Sequence, residues 1–462
     1  MKVTELYIQE YNQFKDFRLD LTYPEGHPKA GQALDKVCFI GQSGTGKTSL
    51  IEILKKTLFV ISLPNLINRL SDESVHIPSM YPLIGLGFAK NGVNVTFDNK
   101  LKAIYDTYND KDNFSPNGES FLTSVSGLDK SIIDYLNNDF KLFYYPCDLD
   151  IPKTNKAQKE KSQSSPFENF YDFSNYDLQS SWATINEAII KDRELEIKKS
   201  LELSKLLQNP KYSQEDIINA RNEFLQWRQE NPNPIIDLAD KFLDKIIGRF
   251  NLKVKTELDF ERTEDIETIK IQTVQGKDIP FEGLSTGTKQ VILTALPLYG
   301  LKPEKAIILF DEPERSLYPD IQTEIVNFYT SMAKDSQFFF ATHSPMVASS
   351  FEPWEIVELK FNNEGNVYQE LYYNKEKGRH VDNYTINPQY LTWMGILQKV
   401  FDLDQEGNDL RDRALIDLAT LERQLKNKKL SVEQEKEKLE EYIKLSELLD
   451  YWNLDSLNNE KN

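Results

Sequence analysis

The chain of 462 residues is 39% hydrophobic and 28% charged, with a formal net charge of −18, long enough for two or three domains around well-filled cores. So acidic a balance argues against nucleic-acid binding by the surface at large, because phosphates are repelled by it. No run of about 18 apolar residues occurs and the opening Met1-Lys2-Val3-Thr4-Glu5 is charged and alternating, so no membrane span or signal peptide is expected and the chain reads as cytoplasmic. Two cysteines, Cys38 and Cys147, and four scattered histidines, His27, His76, His343 and His380, are too few and too far apart for a disulfide framework or a thiolate or H-x-x-x-H metal site.

In chain order, Val3, Leu6 and Ile8, then Phe14, Phe17, Leu19 and Leu21, predict two strands flanking Glu10-Tyr11-Asn12-Gln13, followed by a Pro- and Gly-rich loop from Tyr23 to Leu34. The apolar run Lys36 to Ile40 reads as a strand, and Ser49 to Phe59 as a helix. Between them, Gly41-Gln42-Ser43-Gly44-Thr45-Gly46-Lys47-Thr48 fits G-x-x-x-x-G-K-[ST]. Strand, glycine loop and helix are the setting in which backbone N–H groups can cradle phosphates while a lysine supplies a point charge. Gly41, Ser43, Gly44, Thr45, Gly46, Lys47, Thr48 and Ser49 are therefore the candidate nucleotide-binding residues.

After that helix, Ser62 to Asp98 is irregular, with strand-like pieces at Leu83 to Ala89 and Val93 to Phe97. Ser126 to Asn138 reads as helix and Lys141 to Pro146 as strand. Ile151 to Ser174 has little periodicity and reads as a mobile loop; its lysines, Lys153, Lys156, Lys159 and Lys161, suit a solvated loop better than a nucleic-acid contact. Ser181 to Asn209 is a Glu- and Lys-rich helix stopped by Pro210. Ser213 caps the next, whose Ile217, Ala220, Phe224 and Trp227 form one apolar seam, and a third helix spans Ile235 to Phe250. The first two make a short antiparallel arm.

Strands at Leu252 to Phe260 and Glu267 to Thr273 lead into Phe-Glu-Gly-Leu-Ser-Thr-Gly-Thr-Lys-Gln at 281–290. Ala306 to Phe310 is a buried-type strand ending in Asp311-Glu312-Pro313-Glu314, and a helix is expected over Ser316 to Ala333. Phe338-Phe339-Phe340 is a second such strand, ending in Ala341-Thr342-His343-Ser344-Pro345. Trp354 to Lys360 and Asn366 to Tyr373 form a hairpin turned at Asn362 to Gly365, and 384–450 reads as helical, with a capping box at Ser431 to Gln434.

The order of P-loop, L-S-x-G-x-K-Q, apolar-D-E-P-E and A-T-H-S-P resembles the ABC-type ATPases, in particular their SMC, RecF and OLD-like branch. Asp311 follows Ser285 by 26 positions and precedes His343 by 32, spacings such heads share. The resemblance implies an α/β fold: an ABC-type P-loop ATPase head in two halves, 1–178 and 251–380, with the helical arm at 179–250 inserted between them and a C-terminal helical module at 381–462. It implies ATP and Mg²⁺ as cofactors, with Thr48 and Asp311 on the metal, Glu312 as general base for the attacking water, and His343 touching the γ-phosphate or that water. Ser285 and Gly287 would meet the γ-phosphate held by an opposing subunit, making ATP the glue of a head-to-head homo-oligomer. Ser316-Leu317-Tyr318-Pro319 occupies the place of the D-loop. Thr286 and Thr288 depart from the commoner L-S-G-G. The Q-loop glutamine is unassigned, with Gln179 as its candidate, and Glu314 suits either a shared family role or a helix cap.

Short-armed heads of this kind, including those of the Septu and PARIS systems and restriction-associated ATPases, work in bacterial anti-phage defence with a separate effector nuclease or toxin. The residues from Asp20 to Thr48 look like the restriction-associated subgroup. An intrinsic nuclease is disfavoured: Asp402-Leu403-Asp404 has the D-x-D text, but it follows a helical run. The alternative is a RecF-like repair clamp with duplex DNA as its partner; a transporter ATPase is a weaker third.

Overall fold

A computed structural model describes residues 2–61, 84–90, 93–98, 103–106, 141–147, 170–173, 194–209, 211–231, 234–256, 270–280, 283–403, 407–426 and 430–450. The chain divides into two compact units, Met1–Leu391 and Thr392–Asn462.

The first unit is built on one mixed sheet of twelve strands among the described residues. In chain order these are β1 (Lys2–Tyr11), β2 (Phe14–Asp20), β3 (Lys36–Gly41), β4 (Ile84–Lys90), β5 (Val93–Asp98), β6 (Ala103–Asp106), β7 (Leu142–Tyr145) and β8 (Phe170–Asp172). After a small sheet of β9 (Leu252–Val254), β10 (Ile271–Thr273) and β11 (Asp278–Ile279) come β12 (Ile307–Asp311), β13 (Gln337–Ala341), β14 (Ile356–Phe361) and β15 (Val367–Glu370). The spatial order is β6-β5-β4-β1-β2-β15-β14-β3-β13-β12-β7-β8. From β14 to β8 every neighbouring pair is parallel, whereas β6 to β2 form an antiparallel meander.

The central strands are apolar runs because both faces are covered, as parallel sheets require. Every residue of β12 and β13 is buried. On one face α1 (Lys47–Ile61) lays Leu50, Ile51, Leu54 and Leu58 against Val37, Phe39, Leu309 and Phe339. On the other, Phe310 stacks between Tyr145 and Phe340, with ring centroids 4.9 and 5.0 Å away, and on Tyr329 at 4.9 Å.

The predicted arm helices are found where they are described: residues 194–208 (α2) and Gln214–Glu230 (α3). Ser213 and Asp216 close a capping box on α3. No residue of α3 is fully buried, but Ile217, Ala220, Phe224 and Trp227, the predicted seam, are half-buried, and Arg228 bridges to Glu196 of α2 at 2.8 Å. The third helix runs Pro234–Leu238, passes through a π-turn at Ala239–Leu243 and resumes at Asp244–Ile247 (together α4). Among the described residues three further α-helices follow in this unit: α5 (Thr286–Leu301), α6 (Pro319–Thr330) and the single turn α7 (Pro345–Ala348). α6 starts at Pro319, three residues later than expected, because Ser316 adopts a left-handed conformation at φ 64°. β8 falls within the stretch expected to be loop, and the helix expected at Ser126 to Asn138 lies outside the described residues.

The hairpin of β14 and β15 turns at Asn362 as expected. The second unit has α8 (Trp393–Lys399), α9 (Asp409–Leu425) and α10 (Val432–Leu449), the last closed by the expected Ser431 and Gln434 capping box. Its core joins Leu418 and Leu421 to Tyr442 and Leu449. Residues 384–392, expected as helix, carry only a short 3₁₀ turn at Pro388–Tyr390.

Phe310→Ala removes the centre of the aromatic stack behind β12 and should cost about 3–5 kcal/mol of stability, read as a lower denaturant midpoint.

Candidate nucleotide-binding and hydrolysis site

The parallel register brings three chain segments to one edge. Phe39 of β3 lies level with Ala341 of β13, and Ala341 with Asp311 of β12. The glycine loop, the Asp311-Glu312 pair and His343 therefore leave the sheet side by side, with β13 between the other two strands.

In the loop, Gly41, Gly44 and Gly46 all have positive φ, at 143°, 87° and 86°. At Gly46 space also decides: an added Cβ would lie 2.4 Å from Gln13 Nε2 and 2.7 Å from the Phe14 ring. The turn between β1 and β2 is thus packed against the loop, and Gln13 Nε2 donates to Gly44 O at 3.1 Å. Thr45 is fully buried and its hydroxyl donates to Gln42 O at 2.8 Å, holding the loop's curvature, while Ser43 is exposed and Ser49 half-buried. Lys47 is 5% exposed and its ammonium donates to Gly41 O at 2.9 Å and Gln42 O at 3.1 Å. Burial pulls its pKa down to about 8, against the opposing charges of Glu312, Asp311 and Glu314.

Thr48, the first turn of α1, donates its hydroxyl to Asp311 Oδ1 at 3.0 Å. Burial lifts the Asp311 carboxyl to about 6, with the Thr48 bond working the other way. Hydroxyl and carboxylate are oxygen donors suited to Mg²⁺, which keeps few protein ligands and takes the rest from phosphate and water. Among the described residues no group of three or more His, Cys, Asp or Glu is placed to hold a metal by itself. The residues present fit a cation shared with a nucleotide, and the loop's inward glycine backbone fits the phosphates.

Glu312 leaves β12 with a left-handed backbone at φ 48°, held by its N–H donating to Ala341 O at 2.8 Å. That turn aims its carboxylate away from the sheet, with Oε1 3.7 Å from His343 Nε2. Both side chains are partly exposed, at 33% and 42%. Burial and the Lys47 charge push the His343 pKa below the ordinary imidazole value, with Glu312 opposing.

Glu314 is not a helix cap: α6 has Tyr318 at its N-cap, with no side-chain cap bond. Instead it turns inward, 7% exposed, and its Oε1 accepts from the Thr342 hydroxyl and from the His343 N–H at 3.3 Å. Burial raises its pKa to about 7. The sequence signal for this link was Thr342 beside the histidine, and for Gln13 its place in the turn preceding Phe14; neither carried weight until the elements were in place.

Ser285 caps α5, its hydroxyl accepting from Thr288 N at 3.2 Å and lying 2.7 Å from Thr288 Oγ1. Ser285 and Thr286 are exposed. Gly287 is buried for a reason within its own chain: an added Cβ would lie 2.3 Å from Ser316 O and 3.0 Å from Leu317 Cδ2. The start of α5 therefore rests on the segment that carries Tyr318, itself 72% exposed. Gln179 lies outside the described residues.

A strand, a glycine loop and a lysine-threonine helix start, facing a strand-end aspartate, define a P-loop ATPase domain. Residues 36–349 match the family model described as "AAA domain, putative AbiEii toxin, Type IV TA system", and the chain belongs to that family. Among solved structures it is similar to an SMC head bound to the C-winged helix domain of ScpA, at 11% identity and TM-score 0.38 over 80% of this chain and 97% of that one. It is similar also to the SMC head domain from Thermotoga maritima, at 14% identity and TM-score 0.37, covering 80% of this chain and 98% of that one. A third, from Pyrococcus furiosus, is an SMC head domain with an extended coiled coil bound to the C-terminal domain of ScpA, at 12% identity and TM-score 0.37, covering 80% and 96%. Among the described residues no helix is long and apolar enough to cross a membrane.

Phosphate binding requires the Lys47 ammonium, so nucleotide affinity should be flat below the Lys47 pKa and fall as pH rises through about 8. The decline approaches about tenfold per pH unit. Titration calorimetry from pH 6 to 10 measures it, and Lys47→Arg should flatten the profile, because an arginine stays charged throughout.

Proposed function

We propose that the protein binds and hydrolyses ATP with Mg²⁺ and serves as the sensor and scaffold subunit of a bacterial anti-phage defence system. The observation that carries the hydrolysis reading is the meeting of Glu312 and His343 at 3.7 Å, beside the Thr48 and Asp311 pair. Lys47 places positive charge where a β- or γ-phosphate would lie against the loop. Bound there, Mg²⁺ would supply charge neutralisation for the transferring phosphoryl group. Glu312 orients the attacking water and takes its proton, while the His343 imidazole beside it can hydrogen-bond the water or phosphate. Positioning and charge are what phosphoryl transfer asks of a protein.

The exposed Ser285 and Thr286 at the start of α5 support the assembly reading. A helix N-terminus with a free outward face is suited to the phosphate held by a second head, so two copies would close on ATP. The family's description, a putative AbiEii toxin of a type IV toxin–antitoxin system, supports a place in such a system; control of a separate effector nuclease or toxin is the further step of this proposal.

Glu312→Gln should bind ATP and lose about 10²–10⁴-fold in turnover, accumulating the ATP-bound assembly. Native mass of that variant with Mg-ATP, purified from its own host, tests both levels. A dimer or larger assembly carrying a second polypeptide supports the scaffold role. A bare dimer that retains only DNA replaces it with a repair clamp, and undiminished turnover places the base elsewhere.

A further inference from the structure

The D-E-P-E turn carries a second glutamate, and it is buried. Glu314 is 7% exposed, and burying a carboxyl is costly unless it is bonded. Its Oε1 receives two bonds, one from the Thr342 hydroxyl and one from the His343 N–H at 3.3 Å, while its Oε2 is buried with no hydrogen-bond partner among the described residues. Thr342 is itself fully buried, and its hydroxyl accepts from Ser344 N at 2.9 Å. Thr342 and the backbone of His343 are thus fastened directly to one carboxyl oxygen, and Ser344 to it through the Thr342 hydroxyl.

The same turn is fastened on its other side. Leu317 N donates to Glu314 O at 3.0 Å, and Gln322 of α6 donates to Leu317 O at 2.9 Å while accepting from the Ser344 hydroxyl. Gly287, at the start of α5, rests on Ser316 within that turn. A continuous run of contacts therefore joins the α5 start to the backbone of His343, with Glu314 at its middle.

We propose that Glu314 is a positioning residue: by accepting from Thr342 and from the His343 backbone, it sets where the His343 imidazole stands relative to Glu312. Its consequence for turnover rests on the hydrolysis reading above; its geometry does not. A buried acceptor serves this purpose better than a surface one, because water cannot replace its bonds. Removing the acceptor leaves the backbone of Glu312 in place through its own bond to Ala341, so the histidine moves and the base does not.

The test uses the full-length protein with two independent variants, Glu314→Ala and Thr342→Val, the second keeping the side-chain shape while removing the hydroxyl, both checked for folding by circular dichroism, and Glu314→Gln as the conservative control. The His343 ring signal, assigned among four histidines by its loss in His343→Gln, is followed by NMR without nucleotide. It should move in Glu314→Ala and Thr342→Val, while the other histidine signals stay and Glu314→Gln remains close to wild type. In turnover, the two disruptive variants should lose about ten- to hundredfold in kcat at unchanged ATP affinity, the signature of misplacement and not of lost binding. A His343 signal unmoved in both variants overturns the proposal. So does full kcat in both when the wild-type protein hydrolyses ATP. If the wild-type protein does not turn over, the hydrolysis reading fails by itself, and the ring signal alone decides the role of Glu314.

Discussion

The level register of β3, β13 and β12 is the constraint from which the site follows. Because Phe39, Ala341 and Asp311 stand in one row, three loops from distant parts of the sequence end at the same height. The hydrogen bond from Thr48 to Asp311 then spans the width of β13 and ties the start of α1 to the end of β12. A slip of one residue in any of the three strands would reverse its in-out alternation and separate the pair. The aromatic layer behind β12 resists such a slip, since Phe310 is stacked on rings from β7, β13 and α6.

The cost of the arrangement is electrostatic. Asp311, Glu314 and Lys47 are held where water is scarce, and each is displaced toward its neutral form: the acids upward to about 6 and about 7, the lysine downward to about 8. Such clustering of shifted groups marks sites shaped for a charged ligand more than for stability. A polyanion bearing a divalent cation would add opposite charge beside both Lys47 and Asp311, favouring their ionised forms.

Much of this was legible in the sequence because the chemistry is local. The glycine loop, the capping boxes at Ser213 and Ser431, and the strand ends at Asp311 and His343 all declare themselves within a few residues. What was illegible depends on tertiary placement. β8 is only three residues long and exists because it can add to the edge of β7. The inward turn of Glu314 follows from the left-handed backbone at Glu312 and Ser316, which no short pattern announces and which spoiled both the helix-cap reading and the expected start of α6. The short distance from Gly287 to Ser316 likewise gives that glycine a reason within its own chain, where the motif pointed only across to a second one.

The position of β3 within the sheet has a consequence for how the protein is made. Its two neighbours are β13 and β14, which arrive some 300 residues later in the chain, between Gln337 and Phe361. Until that segment has left the ribosome, the strand that ends in the glycine loop has no partner on either side. A growing chain therefore carries the text of the glycine loop long before the strands that hold it in place exist. Loop closure over such a span also makes the sheet slow to form, and a chain cut short before β13 would leave β3 without either of its neighbours.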